Sequence, residues 1–126
     1  MKRTEKDFEK KVYDEFGLDW DNISMKEAEK KFKTFLIDFD FEKVEMRQSS
    51  SKKGIHIRVK LKNKISIREY LIYRLHFDDD FMRVVLDAER YCRGEIFDLL
   101  WDYKYKMDWK IKKMKKFTSG KWHNIY

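Results

Sequence analysis

The feature that most constrains the fold is a period-two alternation on both sides of one short polar turn. Apolar and charged residues alternate over 43–48 and again over 54–61, with Ser, Lys and Gly between the two runs. Strict alternation predicts a sheet with one buried face, and the polar cluster predicts a turn. The sequence therefore predicts a hairpin over residues 43–61, with apolar side chains directed into a core.

The opposite face of this predicted hairpin is cationic. It carries Arg47, His56, Arg58 and Lys60. Charged donors beside a turn that contains Ser51, Lys53 and a glycine suit phosphate, because backbone amides and hydroxyls donate while the charges attract. The alternative interpretation is an ordinary hairpin with a solvated outer face, which is common.

Composition limits the classes of protein to consider. A chain of 126 residues with 17% aromatic and 42% apolar content predicts one folded domain rather than a disordered chain. The one cysteine, Cys92, excludes an intramolecular disulfide framework and a zinc site built on cysteines. No apolar run approaches the roughly 18 residues of a membrane span. We therefore expect a soluble, cytoplasmic protein without a membrane partner.

The positive charge is concentrated at the C-terminus. Residues 104–126 contain eight lysines and one acid, Asp108, so they carry a net charge of +7. The first 103 residues have 22 basic and 22 acidic side chains and are neutral. This division predicts a domain over 1–103 and a basic extension over 104–126 that holds a polyanion, or else a helix that only confers solubility. The candidate nucleic-acid contacts are Lys110, Lys112, Lys113, Lys115 and Lys116.

Residues 12–20 allow two interpretations, a helix continued from residues 3–11 or a strand. Gly17 is unfavourable inside a helix, and apolar and acidic residues alternate after it, so the strand is preferred. Asp19 and Asp21 then project from the same face of the strand.

Two capping boxes mark helix starts. They begin at Ser24 and at Ser66, each followed three residues later by glutamate. The first helix should end near Asp38.

The remaining elements are predicted from propensity and spacing. The run Val84–Leu86 is rich in β-branched residues and predicts a strand over 83–89 that bears Asp87. Residues 105–117 carry apolar side chains at helical spacing and predict a basic amphipathic helix. The last nine residues are expected to be loose.

The predicted order is strand, helix, strand, strand, helix, strand. This βαββαβ order is typical of a ferredoxin-like or RRM-like α+β sheet with both helices on one face. The strand bearing Asp19 and Asp21 would then lie beside the strand bearing His56, with Asp87 on the same bare face. Two aspartates two residues apart can share a divalent cation, and a third carboxylate would complete the site. We therefore predict a magnesium or manganese site at Asp19, Asp21 and Asp87.

Three short motifs in this order resemble the catalytic core of the archaeo-eukaryotic primase superfamily. They are Leu18–Asp21, Ser51–His56 and Leu86–Asp87. The resemblance implies metal and catalytic roles for Asp19, Asp21 and Asp87, and nucleotide-phosphate contacts for Ser51, Lys53 and His56. Lys52 departs from the family, which usually has glycine there. The chain also resembles small uncharacterised proteins of archaeal viruses and plasmids, through its Arg-Gln-Ser hairpin and the Asp-Asp…Arg…Leu-Asp…Arg pattern that ends at Arg90.

Two classes of function follow from these features. The first is a primase-like protein that binds a nucleoside triphosphate or nucleic acid and transfers nucleotides with a divalent metal in the replication of a mobile element. The second is a non-enzymatic nucleic-acid-binding or structural protein of an archaeal virus or plasmid. The sequence leaves open whether catalysis occurs. It also allows a homodimer formed through the aromatic-rich C-terminal helix.

Overall fold

The predicted hairpin forms and organises the sheet. A computed structural model describes residues 14–36, 39–98, 100 and 103–126. Strands β2 (Lys43–Gln48) and β3 (Gly54–Lys60) pair antiparallel, with Arg47 opposite His56. A Cβ atom on Gly54 would lie 2.7 Å from the Trp20 carbonyl oxygen, so the close approach of the neighbouring strand requires glycine there. The apolar side chains of both strands are buried, as the alternation predicted.

The strand interpretation of the N-terminal segment is confirmed. Strand β1 (Glu15–Asp21) pairs antiparallel with β3 and places Asp19 opposite His56. A two-residue strand from the C-terminus, His123–Asn124, pairs with the other side of β2. The strand order of the sheet, in sequence numbering, is β1-β3-β2-β6, where β6 is this last strand. The expectation that the last nine residues are loose is therefore wrong.

Both predicted helix starts are confirmed. Helix α1 (Met25–Phe35) begins after Ser24, whose hydroxyl accepts a hydrogen bond from the backbone N–H three residues on, at 3.2 Å. Helix α2 (Ile67–His76) begins after Ser66, where both hydrogen bonds of the capping box are present. Helix α1 ends at Phe35, a little before the predicted Asp38.

An aromatic core fills the space between the sheet and these helices. The rings of Phe16 and Phe32 each stack on Phe77, with centroids 5.9 Å and 6.0 Å away. The indole of Trp20 donates a hydrogen bond to the Phe77 carbonyl oxygen at 3.0 Å, so its polar atom is satisfied inside the core. This packing fixes the apolar side of β1, and it leaves Asp19 and Asp21 on the other side.

The strand predicted over 83–89 is wrong, because this segment lies inside helix α3 (Phe81–Cys92). Asp80 caps the helix by accepting a hydrogen bond from the Arg83 backbone N–H at 3.0 Å. Aspartate is a preferred N-cap residue, and the cap outweighs the moderate strand propensity of two adjacent valines.

The helix predicted over 105–117 is also wrong. Strands β4 (Tyr103–Asp108) and β5 (Lys113–Thr118) form a separate two-stranded antiparallel ribbon. Lys112 closes its turn with a φ of 53°. The alternation of aromatic or apolar residues with lysine along β4 has period two, which favours a strand. A homodimer remains a prediction, but the C-terminal helix on which it depended is absent.

The described part of the chain is an α+β fold with a four-stranded antiparallel sheet and three helices, broadly compatible with a ferredoxin-like fold. It differs from the predicted topology because its fourth strand lies beside β2 and comes from the C-terminus. The helix predicted over residues 3–11 lies outside the described residues. None of the described helices combines the length and the apolar character needed to cross a bilayer.

Candidate nucleic-acid interface

Side chains form hydrogen bonds with the backbone groups on the outer edge of β1. This is the edge on which the predicted fourth strand would have paired. The Gly17 N–H donates to Asp98 Oδ2 at 2.9 Å, and the Asp19 N–H donates to Asp79 Oδ1 at 2.9 Å. The Gly17 carbonyl oxygen accepts from Arg83 Nη1 at 3.1 Å. A Cβ atom on Gly17 would lie 2.8 Å from Asp98 Oδ1, so glycine is needed for this approach. These contacts take the place of ladder hydrogen bonds and close the edge to further strands.

These side chains belong to a largely buried group of three arginines and three aspartates, which we call the edge cluster; Arg90 lies at its rim, with its side chain 40% exposed. Its members are Arg74, Arg83, Arg90, Asp79, Asp87 and Asp98. Arg74 is fully buried and contacts Asp79 at 2.7 Å and Asp87 at 2.8 Å. Arg83 bridges Asp79 at 2.7 Å and Asp98 at 2.6 Å. Three positive and three negative charges balance, as buried ions require.

Two aspartates of the edge cluster, Asp98 and Asp79, have pKa values shifted in opposite directions. Burial raises the pKa of the Asp98 carboxyl, but the charges of Arg74 and Arg83 outweigh burial and bring its pKa below the ordinary value. Burial raises the pKa of Asp79 as well, and there it prevails over Arg83 and Arg74. Burial also raises the pKa of the Tyr70 hydroxyl, which donates to Asp98.

Asp87 does not lie where the sequence placed it. It is on helix α3 rather than on a strand of the bare sheet face, and its carboxylate accepts hydrogen bonds from Arg74, Arg90 and the Asp98 backbone N–H. The expected metal site of Asp19, Asp21 and Asp87 therefore does not fit as a shared set of three carboxylates. We derive no catalytic step from it.

Asp19 and Asp21 line a cleft of about 390 Å³ at the end of β1. The opposite wall of this cleft comes from the loop that precedes α3. Its lining residues are Asp19, Trp20, Asp21, Ile23, Lys31, Asp78, Asp79, Asp80, Phe81 and Met82. Within the described ranges, no three histidine, cysteine or acidic side chains are grouped closely enough to hold a metal ion. Metal binding by Asp19 and Asp21 remains a prediction.

The predicted row of polar side chains across the sheet is present. Arg47 Nε donates to His56 Nδ1 at 3.1 Å, and His56 Nε2 lies 4.0 Å from Asp19 Oδ1. The row thus runs from β2 through β3 to β1, as the register predicted. Arg47 and His56 are only 3% and 4% exposed, however, and Arg47 Nη2 also donates to the Leu100 carbonyl oxygen at 2.9 Å. The face is therefore covered and not bare.

The C-terminal segment provides part of this cover. The Trp122 ring lies 4.4 Å from the Arg47 guanidinium and 4.3 Å from that of Arg58. Arg58 also contacts Glu45 at 3.1 Å. The Gly120 N–H donates to the Gln48 carbonyl oxygen at 2.8 Å, so the segment is held by backbone as well as by stacking. Both predicted phosphate-binding arginines thus contact an internal aromatic ring, although the Arg58 side chain is still 38% exposed.

Ser51 and Lys53, the remaining predicted phosphate contacts, are exposed at the hairpin turn. Ser51 Oγ lies 3.0 Å from Ser49 Oγ and accepts from the Lys53 backbone N–H at 3.3 Å. The hydroxyl that was predicted to meet phosphate therefore supports the turn itself. The turn lies at one end of the hairpin, and the paired residues Lys43 and Lys60 lie at its open end.

The ribbon places the predicted lysine contacts at the surface. Lys110 and Lys112 lie in its turn, and Lys113, Lys115 and Lys116 lie on β5; all five are exposed. The ribbon also exposes large apolar side chains, three of which the sequence interpretation had assigned to one face of a helix. These are Tyr105, Met107, Trp109, Ile111 and Met114. The period-two alternation of residues 103–107 was the available signal, and the helical spacing of Met107, Ile111 and Met114 concealed it.

Comparison with known proteins adds no assignment: no family model matches the chain, and neither a curated protein nor a solved structure matches it.

Proposed function

We propose that this protein binds nucleic acid and that the C-terminal ribbon makes the phosphate contacts. The single observation that carries the proposal is the exposed set of lysines on a ribbon attached to a chain that is otherwise nearly neutral. From residue 103 to residue 118 there are seven lysines and one acid, a net charge of +6. A concentrated positive charge of this kind attracts the phosphate backbone and releases its counterions on binding.

The structure of the sheet favours the ribbon over the sheet face as the contact surface. Arg47 and His56 are buried in a hydrogen-bonded row, and the Trp122 ring packs against Arg47 and Arg58. In contrast, Lys113 and Lys115 occupy alternate positions of β5, so they lie on the same side of the ribbon, and both are exposed. Their ammonium groups are available to a ligand without any rearrangement of the fold.

The proposal predicts a strong dependence of affinity on salt. If about six lysines contact phosphates, the affinity should fall roughly 300- to 2,000-fold between 50 mM and 200 mM salt. The measurement is fluorescence anisotropy of a labelled oligonucleotide over this range of salt. Binding that is insensitive to salt would contradict a phosphate interface.

A pair of matched variants locates the interface. Replacing Lys113 and Lys115 by glutamine removes two ribbon charges, and replacing Lys26 and Lys30 on α1 removes two exposed charges from the body. We expect the ribbon variant to lose affinity by about tenfold or more at 0.15 M salt, and the α1 variant to lose little. Equal losses in the two variants would show that net charge alone drives binding and would overturn the proposal.

An anionic membrane surface is the competing ligand for lysines interleaved with aromatic side chains. The same variants should therefore be tested with vesicles that contain 30% phosphatidylserine. We expect weak vesicle binding and tight oligonucleotide binding. Tight vesicle binding that depends on Lys113 and Lys115, with no oligonucleotide binding, would overturn the proposal.

A further inference from the structure

We infer that the ligand of the ribbon is single-stranded nucleic acid, whose bases stack on the aromatic side chains of the ribbon while its lysines contact the phosphates. This inference rests on the proposed function and adds the class of nucleic acid and the residues that distinguish it. It is drawn from the register of the ribbon, from the exposure of its side chains and from the residue types that it lacks.

The register divides the ribbon into two faces. In an antiparallel pair, residues directly opposite each other lie on the same face. Tyr105 is opposite Lys116, and Met107 is opposite Met114, so these four share what we call the apolar face. The alternate positions on β5 place Lys113, Lys115 and Phe117 on the other side, which we call the basic face. Lys116 thus lies on the same face as Tyr105, Met107 and Met114, and Lys110 follows Trp109 in the turn, so lysines and apolar side chains are close enough to contact one strand together.

The apolar face and the turn are unusually exposed for such large side chains. Trp109 in the turn is 78% exposed and Tyr105 is 59% exposed, while Met114 and Ile111 are similarly open. Lysines surround them, so a partner that covers these groups should carry negative charge and flat apolar surfaces together. A single strand of nucleic acid has both properties, because its bases present unpaired π-faces beside a phosphate backbone.

The composition of the ribbon argues against recognition of duplex DNA. A two-stranded ribbon has dimensions that fit the major groove, so a duplex is the relevant alternative. The side chains that read base edges there are chiefly arginine, lysine, asparagine and glutamine, and of these four residues 103–118 contain only lysine. Trp109 and Tyr105 cannot reach the π-faces of bases that are stacked inside a duplex. The exposed aromatic side chains would then gain no contact of their own.

The test compares ligands and variants in the full-length protein. The ligands are a labelled 12-nucleotide oligothymidine and a 12-base-pair duplex, each measured by anisotropy at 0.1 M salt. We expect the single strand to bind at least tenfold more tightly than the duplex. Trp109→Ala should weaken binding of the single strand by about 5- to 150-fold and leave the duplex little changed.

Two controls separate stacking from charge and from misfolding. Trp109→Phe keeps an aromatic ring and should retain most of the affinity that Trp109→Ala loses, with unchanged circular dichroism in both. The variant that replaces Lys113 and Lys115 by glutamine should weaken both ligands, because phosphates are common to them.

The outcomes distinguish this inference from the proposed function. Equal affinity for the two ligands, or no loss on Trp109→Ala, overturns the inference and leaves a phosphate-binding ribbon in place. Failure to bind either oligonucleotide overturns the proposed function itself. Loss of both ligands on Trp109→Ala with normal circular dichroism also overturns the inference, because stacking on unpaired bases would spare the duplex.

Discussion

Replacing Arg74 by methionine should strongly destabilise the protein, because Arg74 is at the centre of the edge cluster. Its side chain is fully buried, with Nε 2.7 Å from Asp79 and Nη1 2.8 Å from Asp87. Methionine fills much of the same volume, so the main effect is electrostatic. The cluster goes from three positive and three negative charges to two and three, and one buried carboxylate loses its compensation.

The expected cost is large relative to the stability of a small domain. Removing one partner of a buried ion pair costs about 3–5 kcal/mol, against a total of about 5–15 kcal/mol. Among the described residues, buried Arg74 Nη2 has no hydrogen-bond partner, so its loss removes one unfavourable contribution and we expect a cost of about 3 kcal/mol. With a urea m-value of about 1–3 kcal/mol per molar, the midpoint of unfolding should fall by roughly 1.5 M.

The assay is urea unfolding followed by circular dichroism, with Arg90→Met as the matched control. Arg90 contacts the same carboxylate, Asp87, at 2.8 Å, but its side chain is 40% exposed. Water can replace that contact, so the control should cost about 1 kcal/mol or less. In the double variant Arg74→Met/Asp87→Asn the charges balance again, and the loss should be smaller than the sum of the two single losses.

Two results would refute this reasoning about the edge cluster. One is a loss in Arg74→Met no greater than that in Arg90→Met, because burial would then not determine the cost. The other is additivity of the two single losses in the double variant, because residual charge imbalance would then contribute nothing. Either result would mean that the cluster is held by packing alone.

The remaining predictions concern pH and metal ions. The pKa of Asp98 is lowered in the folded state, so its stabilising contribution is present above the unfolded pKa of about 3.9 and is lost as pH falls through the folded pKa. The unfolding free energy of Asp98→Asn should therefore fall less steeply than that of the wild type between pH 5 and pH 3 in urea titrations, and an equal slope would contradict the shift. If Asp19 and Asp21 bind Mn²⁺, calorimetry should show saturable binding that Asp19→Ala/Asp21→Ala loses and Asp87→Asn keeps. Absence of saturable binding in the wild type would end the metal prediction.

The central hairpin and its first neighbour could be predicted from sequence because local and tertiary signals agree there. Alternation of apolar and charged residues fixes which side chains face the core, and a slip of one residue would expose all of them. The βαββαβ order placed the strand of Asp19 beside that of His56, and in the structure these two residues are directly opposite each other. The starts of α1 and α2 were also predictable, because a capping box is a local interaction that needs only four residues.

The segment from 83 to 89 could not be predicted because a distant contact determines its conformation. Asp87 is buried against Arg74, thirteen residues earlier, whose charge compensates the carboxylate there. Asp80, the last of three adjacent aspartates that follow α2, is the N-cap of α3. A sequence pattern shows neither the pairing partner of a charge nor which of two neighbouring helices an aspartate caps.

The C-terminal segment was mispredicted for a different reason, since two periodicities are present at once. Met107, Ile111 and Met114 fit one helical face, whereas Tyr105 and Met107 alternate with lysines as in a strand. Neither pattern is supported by burial, because the ribbon exposes these side chains. When no face is buried, the periodicity of apolar residues says little about secondary structure. The positive charge of the segment could be predicted because it does not depend on conformation.

The closed edges of the sheet explain why the ribbon is the better candidate interface. On one side the Gly17 and Asp19 N–H groups are capped by aspartates of the edge cluster, and on the other side β2 is paired with the C-terminal strand. The polar face between them is occupied by Trp122 and by the contact of Arg47 with Leu100. A ligand could reach that face only by displacing these contacts. Arg47 would then lose its present partners and would need new ones from the ligand to remain buried. Lys113, Lys115 and Trp109 of the ribbon are exposed, so a ligand can bind them while the contacts of Arg47 and Trp122 on the sheet stay in place.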